Sequence, residues 1–217
     1  MDFRNRMRLL VVDDHEVVRT GLSQFLYGDE TEVVGTAGTA PEALVHIETL
    51  SPDAVLMDVR MEEFDGLWAL EQIRVGYPDL PVVFLSSYDN PTYMARAIAL
   101  GVNDYLLKNA SRDCIIDALR RGVDKLPTAS NSALQRVRQN MELSRHVPDG
   151  LPDFSLTNRE IQVLRHIGLG LSNKEIAKSL RISVETVKEH VQNILRKTKA
   201  TDRTDAAVKA VRWGLVE

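Results

Sequence analysis

The stretch Leu9-Leu10-Val11-Val12-Asp13-Asp14 decides the fold. An apolar run that stops abruptly at two carboxylates reads as a buried strand delivering acidic groups to the edge of a sheet. The pattern recurs: Ala54-Val55-Leu56-Met57 stops at Asp58, Val82-Val83-Phe84-Leu85 at Ser86-Ser87, and Tyr105-Leu106-Leu107 at Lys108. A fifth strand candidate is Glu32-Val33-Val34-Gly35-Thr36-Ala37. Helical periodicity follows each strand, as in Val17, Val18, Leu22, Phe25 and Leu26, or Ile115, Ile116, Leu119 and Val123. Strand then helix, five times over, predicts an α/β domain with a five-stranded parallel, doubly wound sheet. Gly35, Gly76 and Gly101 are expected at turns or helix ends. The carboxyl ends of parallel strands share one edge, where ligands bind. Asp13, Asp14, Asp58, Ser86 and Lys108 should therefore converge.

Composition divides the chain. Residues 1–126 hold 12 Lys+Arg against 21 Asp+Glu, whereas residues 154–217 hold 12 against 7, so an acidic part precedes a basic one. That asymmetry points to a nucleic-acid partner for the second part. A single cysteine, Cys114, rules out an intramolecular disulfide and fits a reducing compartment, which predicts a cytoplasmic protein. The sequence has no apolar run of transmembrane length, and residues 1–8 lack the apolar segment of a signal peptide, so no membrane partner is expected. The expected organisation is an α/β domain over 7–126, a linker over 127–153 and a helical domain over 154–217. Ser132 with Gln135, followed by Leu134, Val137 and Met141 on one helical face, predicts a connector helix within the linker.

Three carboxylates, a hydroxyl and an ammonium at one edge make a site for a divalent cation and a transferable phosphoryl group. Mg²⁺ takes oxygen ligands and keeps several waters, so Asp14 and Asp58 are expected to bind it directly and Asp13 through water. A carboxylate can also accept a phosphoryl group as a nucleophile, and Asp58, on the central strand, is the candidate. Lys108 and the Ser86 hydroxyl would balance the incoming charge.

The runs Val11-Val12-Asp13-Asp14-His15, Leu56-Met57-Asp58-Val59-Arg60-Met61, Asp65-Gly66, Leu85-Ser86-Ser87 and Asp104-Tyr105-Leu106-Leu107-Lys108 resemble the receiver domain of two-component response regulators, a flavodoxin-like fold. The resemblance implies that Asp58 is the phosphoacceptor and that Asp13 and Asp14 hold Mg²⁺ with the backbone carbonyl of Arg60. It makes Ser86 the switch hydroxyl, Tyr105 the switch aromatic and Lys108 the phosphoryl contact. The implied donor is a sensor histidine kinase. Glu62 and Asn109 stand where the family commonly has proline. The bulky Arg60 and Tyr88 stand two residues beyond Asp58 and Ser86, positions that the resemblance implies flank the path of hydrolytic water, so a long-lived phosphoryl group is expected.

From residue 157 on, Thr157-Asn158-Arg159-Glu160 and Ser172-Asn173-Lys174-Glu175 are capping boxes, Ser183 can cap a third helix, and Ala206, Ala207, Val208 and Val211 indicate a fourth. Four short helices with a tight Leu180-Arg181-Ile182-Ser183 junction predict an all-α helix-turn-helix domain. In the helix after Ser183, Glu185, Lys188, Glu189, Gln192 and Arg196 should face outward. Gly170-Leu171-Ser172-Asn173-Lys174-Glu175-Ile176-Ala177 and Thr186-Val187-Lys188-Glu189-His190-Val191 resemble the LuxR-type helix-turn-helix, making the chain similar to NarL/FixJ-type response regulators. The resemblance implies that Lys188, Glu189 and Gln192 face bases of double-stranded DNA while Thr186, His190, Asn193 and Lys197 approach phosphates. Glu160 is expected to support its helix instead. A homodimer on two-fold half-sites is implied.

The protein is thus expected to be a transcription factor, not an enzyme, apart from its own phosphoryl transfer and slow dephosphorylation. Three alternatives stay open at this level: a regulator switched without phosphorylation, a protein-interaction module, and an aspartyl-phosphate hydrolase. The last needs an acid-base Asp where Arg60 stands.

Overall fold

The computed structural model describes residues 6–142 and 156–216. The stretches of the expected linker and helical domain at 143–155, and residues 1–5 and 217, lie outside the described residues.

Five strands, β1 (Met7–Val12), β2 (Thr31–Ala37), β3 (Ala54–Asp58), β4 (Val82–Ser86) and β5 (Asp104–Leu107), form one parallel sheet in the order β2-β1-β3-β4-β5. Helices α1 (Glu16–Leu26), α2 (Ala40–Leu50), α3 (Gly66–Gly76), α4 (Pro91–Leu100) and α5 (Arg112–Val123) follow the strands in turn. The alternation of a strand explains the continuous apolar runs. Leu9, Val11, Leu56, Val83 and Leu85 pack with Leu26 of α1 and with Ile115, Ile116 and Leu119 of α5. Leu10, Val12, Val55, Met57, Val82 and Phe84, which alternate with them, are equally buried. Order reverses at β1, which lies between β2 and β3, so the ends of β1 and β3 open a crevice at the switch point.

Two glycines do specific work. Gly35 lies inside β2, within the strand candidate of residues 32–37 and not at a turn or helix end, where the register against β1 slips between Leu9 and Leu10. A Cβ there would come within 2.4 Å of Leu50 Cδ1, so any larger residue would make the Leu50 side chain of α2 move. Gly66 opens α3 under an Asp65 cap; a Cβ there would meet the main-chain oxygen of Asp58 at 2.4 Å. Gly76 ends α3, and Gly101 follows α4 with φ +88°, as expected of both.

The chain forms two compact units, one of residues up to Asp89 with Leu100–Gln135, the other of Asn90–Ala99 with the residues from Arg136 on. A sixth helix, α6 (Ala133–Glu142), starts under Ser132, whose Oγ accepts from Gln135 N at 3.2 Å. In the second unit, α7 (Asn158–Gly168), α8 (Asn173–Leu180), α9 (Val184–Thr198) and α10 (Arg203–Arg212) share a core of Val163, Leu164, Ile167, Ile176, Val187, Ile194, Ala206 and Ala210. The capping boxes at Thr157 and Ser172 form, each satisfying orphan amides at a helix start. The α8–α9 turn runs through Arg181 in the left-handed region at φ +53°, and Ser183 caps α9.

Candidate functional site: an acidic crevice and an exposed recognition helix

Every acidic and basic side chain predicted for the sheet edge arrives there. Asp13 leaves the end of β1, Asp58 is the last residue of β3, and both are buried, at 1% and 6% exposure. Lys108, just past β5, donates to both from one ammonium: Nζ lies 2.6 Å from Asp13 Oδ2 and 2.8 Å from Asp58 Oδ2. Such charge-assisted bonds are short and strong, and they hold two carboxylates together that would otherwise repel. Burial pushes the Asp58 carboxyl above its usual pKa, against the pull of Lys108. Burial also works against the charge of Lys108, but its bonds to Asp13 and Asp58 outweigh that and raise its pKa.

Backbone donors complete the geometry. Asp58 Oδ1 accepts from Arg60 N at 3.2 Å, Asp13 Oδ1 from His15 N at 3.0 Å, and Asp14 Oδ2 from Glu62 N at 3.2 Å. Arg19 Nη1 donates to the main-chain oxygen of Asp13 at 2.7 Å. Asp14 Oδ1 is buried and receives no well-directed hydrogen bond, with His15 Nδ1 at 2.6 Å. Asp13, Asp14 and His15 can present ligand atoms within 4.8 Å of one another. An orphaned carboxylate oxygen beside two further acids is the donor set a hard divalent cation requires, so the residues fit Mg²⁺. The crevice holds about 480 Å³, and Ser86, Tyr88 and Arg60 line it with the acids.

Ser86 closes β4, 3% exposed, and its Oγ accepts from Tyr88 N at 3.2 Å. Tyr105, the second residue of β5, is 2% exposed, edge-on to Phe84, and its hydroxyl donates to Tyr88 O at 3.0 Å. The Arg60 guanidinium lies 5.7 Å from the centre of the exposed Tyr88 ring. Tyr88 thus touches the hydroxyl, the aromatic and the residue beside Asp58. No cis peptide occurs among the described residues, so Asn109 is joined in trans.

In the second unit, Glu185, Lys188, Glu189, Gln192 and Arg196 are exposed along α9, as the periodicity predicts. Thr186, His190 and Asn193 are half-buried; Thr186 Oγ1 bonds Ser183 Oγ and Asn193 Oδ1 accepts from Arg196. Lys188 pairs with Glu185 at 2.8 Å. Lys197 donates to both carboxylate oxygens of Glu160, at 2.7 and 3.0 Å, and Glu160 is 3% exposed. Glu160 is thereby the brace expected of it, closing the Thr157 capping box and tying α9 to α7.

Sequence reasoning did not single out Arg19, or the roles of His15 and the Glu62 amide. Arg19 lies six residues beyond Asp13 and carries no motif, while the Glu62 contact spans 48 residues.

The sequence profile of the response regulator receiver domain matches residues 9–120. The chain belongs to the two-component response regulators. A second profile, that of the LuxR family of bacterial regulatory proteins, matches residues 154–210, so this response regulator carries a LuxR-type helix-turn-helix and groups with transcriptional regulators, not enzymes. It is 40% identical over 212 residues to the uncharacterized transcriptional regulatory protein YhcZ of Bacillus subtilis, covering 96% of this chain and 97% of that one. It is 36% identical to the response regulator VraR of Staphylococcus aureus, covering 97% and 99%. Among solved structures it resembles ChrA, the response regulator of a heme-sensing two-component system (TM-score 0.53, 29% identity, 98% and 100% covered). It shares its fold with RcsB of Salmonella typhimurium (TM-score 0.59, 19% identity, 96% and 99% covered). Among the described residues no helix is long and apolar enough to cross a membrane.

Proposed function

We propose that this response regulator is phosphorylated on Asp58 and that phosphorylation controls dimerisation and sequence-specific DNA binding in the cytoplasm. The observation that carries the reading is the single Lys108 ammonium shared by Asp13 and Asp58 at the crevice. In the transfer, an Asp58 carboxylate oxygen attacks the phosphorus of a phosphohistidine on a sensor kinase. The O–P bond forms, the N–P bond breaks, and the imidazole keeps the electron pair and takes a proton.

Asp13, Asp14, Asp58 and the carbonyl of Arg60 would hold Mg²⁺, which supplies charge neutralisation for the phosphoryl oxygens. Lys108 turns its ammonium from the bare carboxylate to a phosphoryl oxygen, and the Ser86 hydroxyl donates to another. Ser86 Oγ, which also accepts from the Tyr88 amide, reorients toward the phosphoryl group, and Tyr105, bonded to the Tyr88 carbonyl, feels the change. The guanidinium of Arg60 over Tyr88 obstructs water's approach to phosphorus, giving slow dephosphorylation.

For DNA, the exposed Lys188, Glu189 and Gln192 of α9 suit base edges, with Thr186, His190 and Asn193 nearer the backbone. Lys197 would reach phosphate from beside Glu160. Support comes from the solved complex of RcsB with DNA, whose fold this chain shares. Two protomers would bind two half-sites about one helical turn apart.

The test is intact mass after incubation with a small acyl phosphate, with and without Mg²⁺. One Mg²⁺-dependent phosphoryl adduct, absent from Asp58→Asn, is expected. An adduct that persists in Asp58→Asn would remove Asp58 as the acceptor.

A further inference from the structure

We propose that residues 128–135 are a clasp fastening the start of α6 to the strand that carries Tyr105 and leads to Lys108, so that the connector responds to movement of β5. The inference rests on the phosphorylation reading only for what moves β5; the fastening itself stands on geometry.

Two hydroxyls make the clasp. Thr128 Oγ1 donates to Asn103 O at 2.9 Å, and Ser132 Oγ donates to Asp104 Oδ1 at 3.2 Å. Asp104 Oδ1 also accepts from Tyr105 N at 2.8 Å, so one buried carboxylate oxygen joins the α6 cap to the backbone of the switch aromatic. The Ser132 oxygen in turn accepts from Gln135 N, and Leu134 in the same turn is fully buried.

The strand side of the clasp is anchored. Asn103 Oδ1 accepts from Val82 N at 2.9 Å and from Arg74 Nη2 at 3.2 Å, and Arg74 also holds Gly101 O and Leu80 O. The opposite end of β5 is tied to β4 by the main chain, Lys108 N donating to Ser86 O at 2.8 Å, and to the crevice by side chains: Lys108 to Asp13 and Asp58, and Tyr105 to Tyr88. A charge added at Asp58 therefore acts on the end of β5 that Lys108 ties to the crevice, while Asp104 passes the change to Ser132.

A ten-residue helix is marginal alone in water, so loosening its first turn should spread through α6. Amide hydrogen exchange over residues 133–142 of the full chain reads this directly. Thr128→Val and Asp104→Ala each remove a clasp bond yet leave the Ser132 cap on Gln135 in place. Both should speed exchange in α6 about fivefold while β1 and β3 stay protected, and Ser132→Thr should behave as the wild type. Should Asp104→Ala not fold, Thr128→Val decides alone. Wild-type exchange rates in the variants would overturn the clasp.

With a small acyl phosphate and Mg²⁺, wild-type α6 exchange should change and the variants should lose that response, all forming the same adduct by mass. An adduct with unchanged α6 exchange would overturn the coupling. Failure of the wild type to take any phosphoryl group would instead count against Asp58, and the comparison without donor would still decide the fastening.

Discussion

At the scale of the residue, Asp58 is placed for chemistry at the expense of stability. It is buried beside Asp13, the two share one ammonium, and burial raises its pKa. A raised folded pKa means the folded state binds the proton more tightly than the unfolded one, so the ionised carboxylate opposes folding at neutral pH. Asp58→Asn is expected to raise the thermal midpoint by about 3 °C, on the order of 1 kcal/mol, measured by calorimetry without Mg²⁺. A lower midpoint would mean that the Lys108 pair outweighs the burial of the charge. At the rim, Arg60 and Tyr88 stack as a cation on a ring. Trimming both to alanine should shorten the phosphoryl lifetime severalfold, followed as loss of the adduct mass with time; an unchanged lifetime would remove them from the water path. Both residues were legible from the resemblance to receiver domains, but their contact was not, because it joins two loops 28 positions apart.

At the scale of the element, α9 is held by a buried ion pair and a buried imidazole lies next door on α7. Lys197 bonds Glu160, and Lys197→Met would leave that carboxylate buried without its cation, costing about 2 kcal/mol by urea denaturation. Glu160→Gln with Lys197→Met should recover part of that loss, since neither charge then remains. His166 has no exposed surface; a backbone oxygen of Gln162 at 2.7 Å requires Nδ1 to donate, so Nε2 accepts from Ser179 Oγ at 2.9 Å. Burial first, then the charges of Arg159 and Arg165, depress its pKa below 6.5 despite the Gln162 bond. The unfolded chain takes up this proton first as pH falls, so stability is present above about pH 6.5 and declines below it. Glu160 is also depressed: burial raises it, but Lys197 and Thr157 outweigh burial, so a second decline begins below about pH 4.5. The denaturation midpoint of the second unit should therefore be lower at pH 5.5 than at pH 7.5, and His166→Gln should flatten that first step.

At the scale of the whole molecule, an acidic first part and a basic second part set the electrostatics of binding. DNA affinity is expected to fall about 10²-fold between 50 and 200 mM salt, and sedimentation on a two-half-site duplex should show two protomers. One protomer per duplex would contradict the dimeric reading. The apolar runs ending in Asp13, Asp58, Ser86 and Lys108 were enough to determine a parallel sheet and the edge where the site lies, because a strand buried on both faces must be apolar throughout and its end must carry the change to polar chemistry. Capping boxes at Thr157 and Ser172 likewise determined two helix starts, since the capping bonds span only three residues. Only the tertiary structure showed that the Leu50 side chain of a packed helix lies against Gly35. It also decided that Lys108 bridges Asp13 across 95 positions, that Lys197 answers Glu160, and that Ser132 reaches Asp104. Local periodicity and capping are short-range and written in order along the chain, whereas these pairings depend on which elements the fold brings side by side.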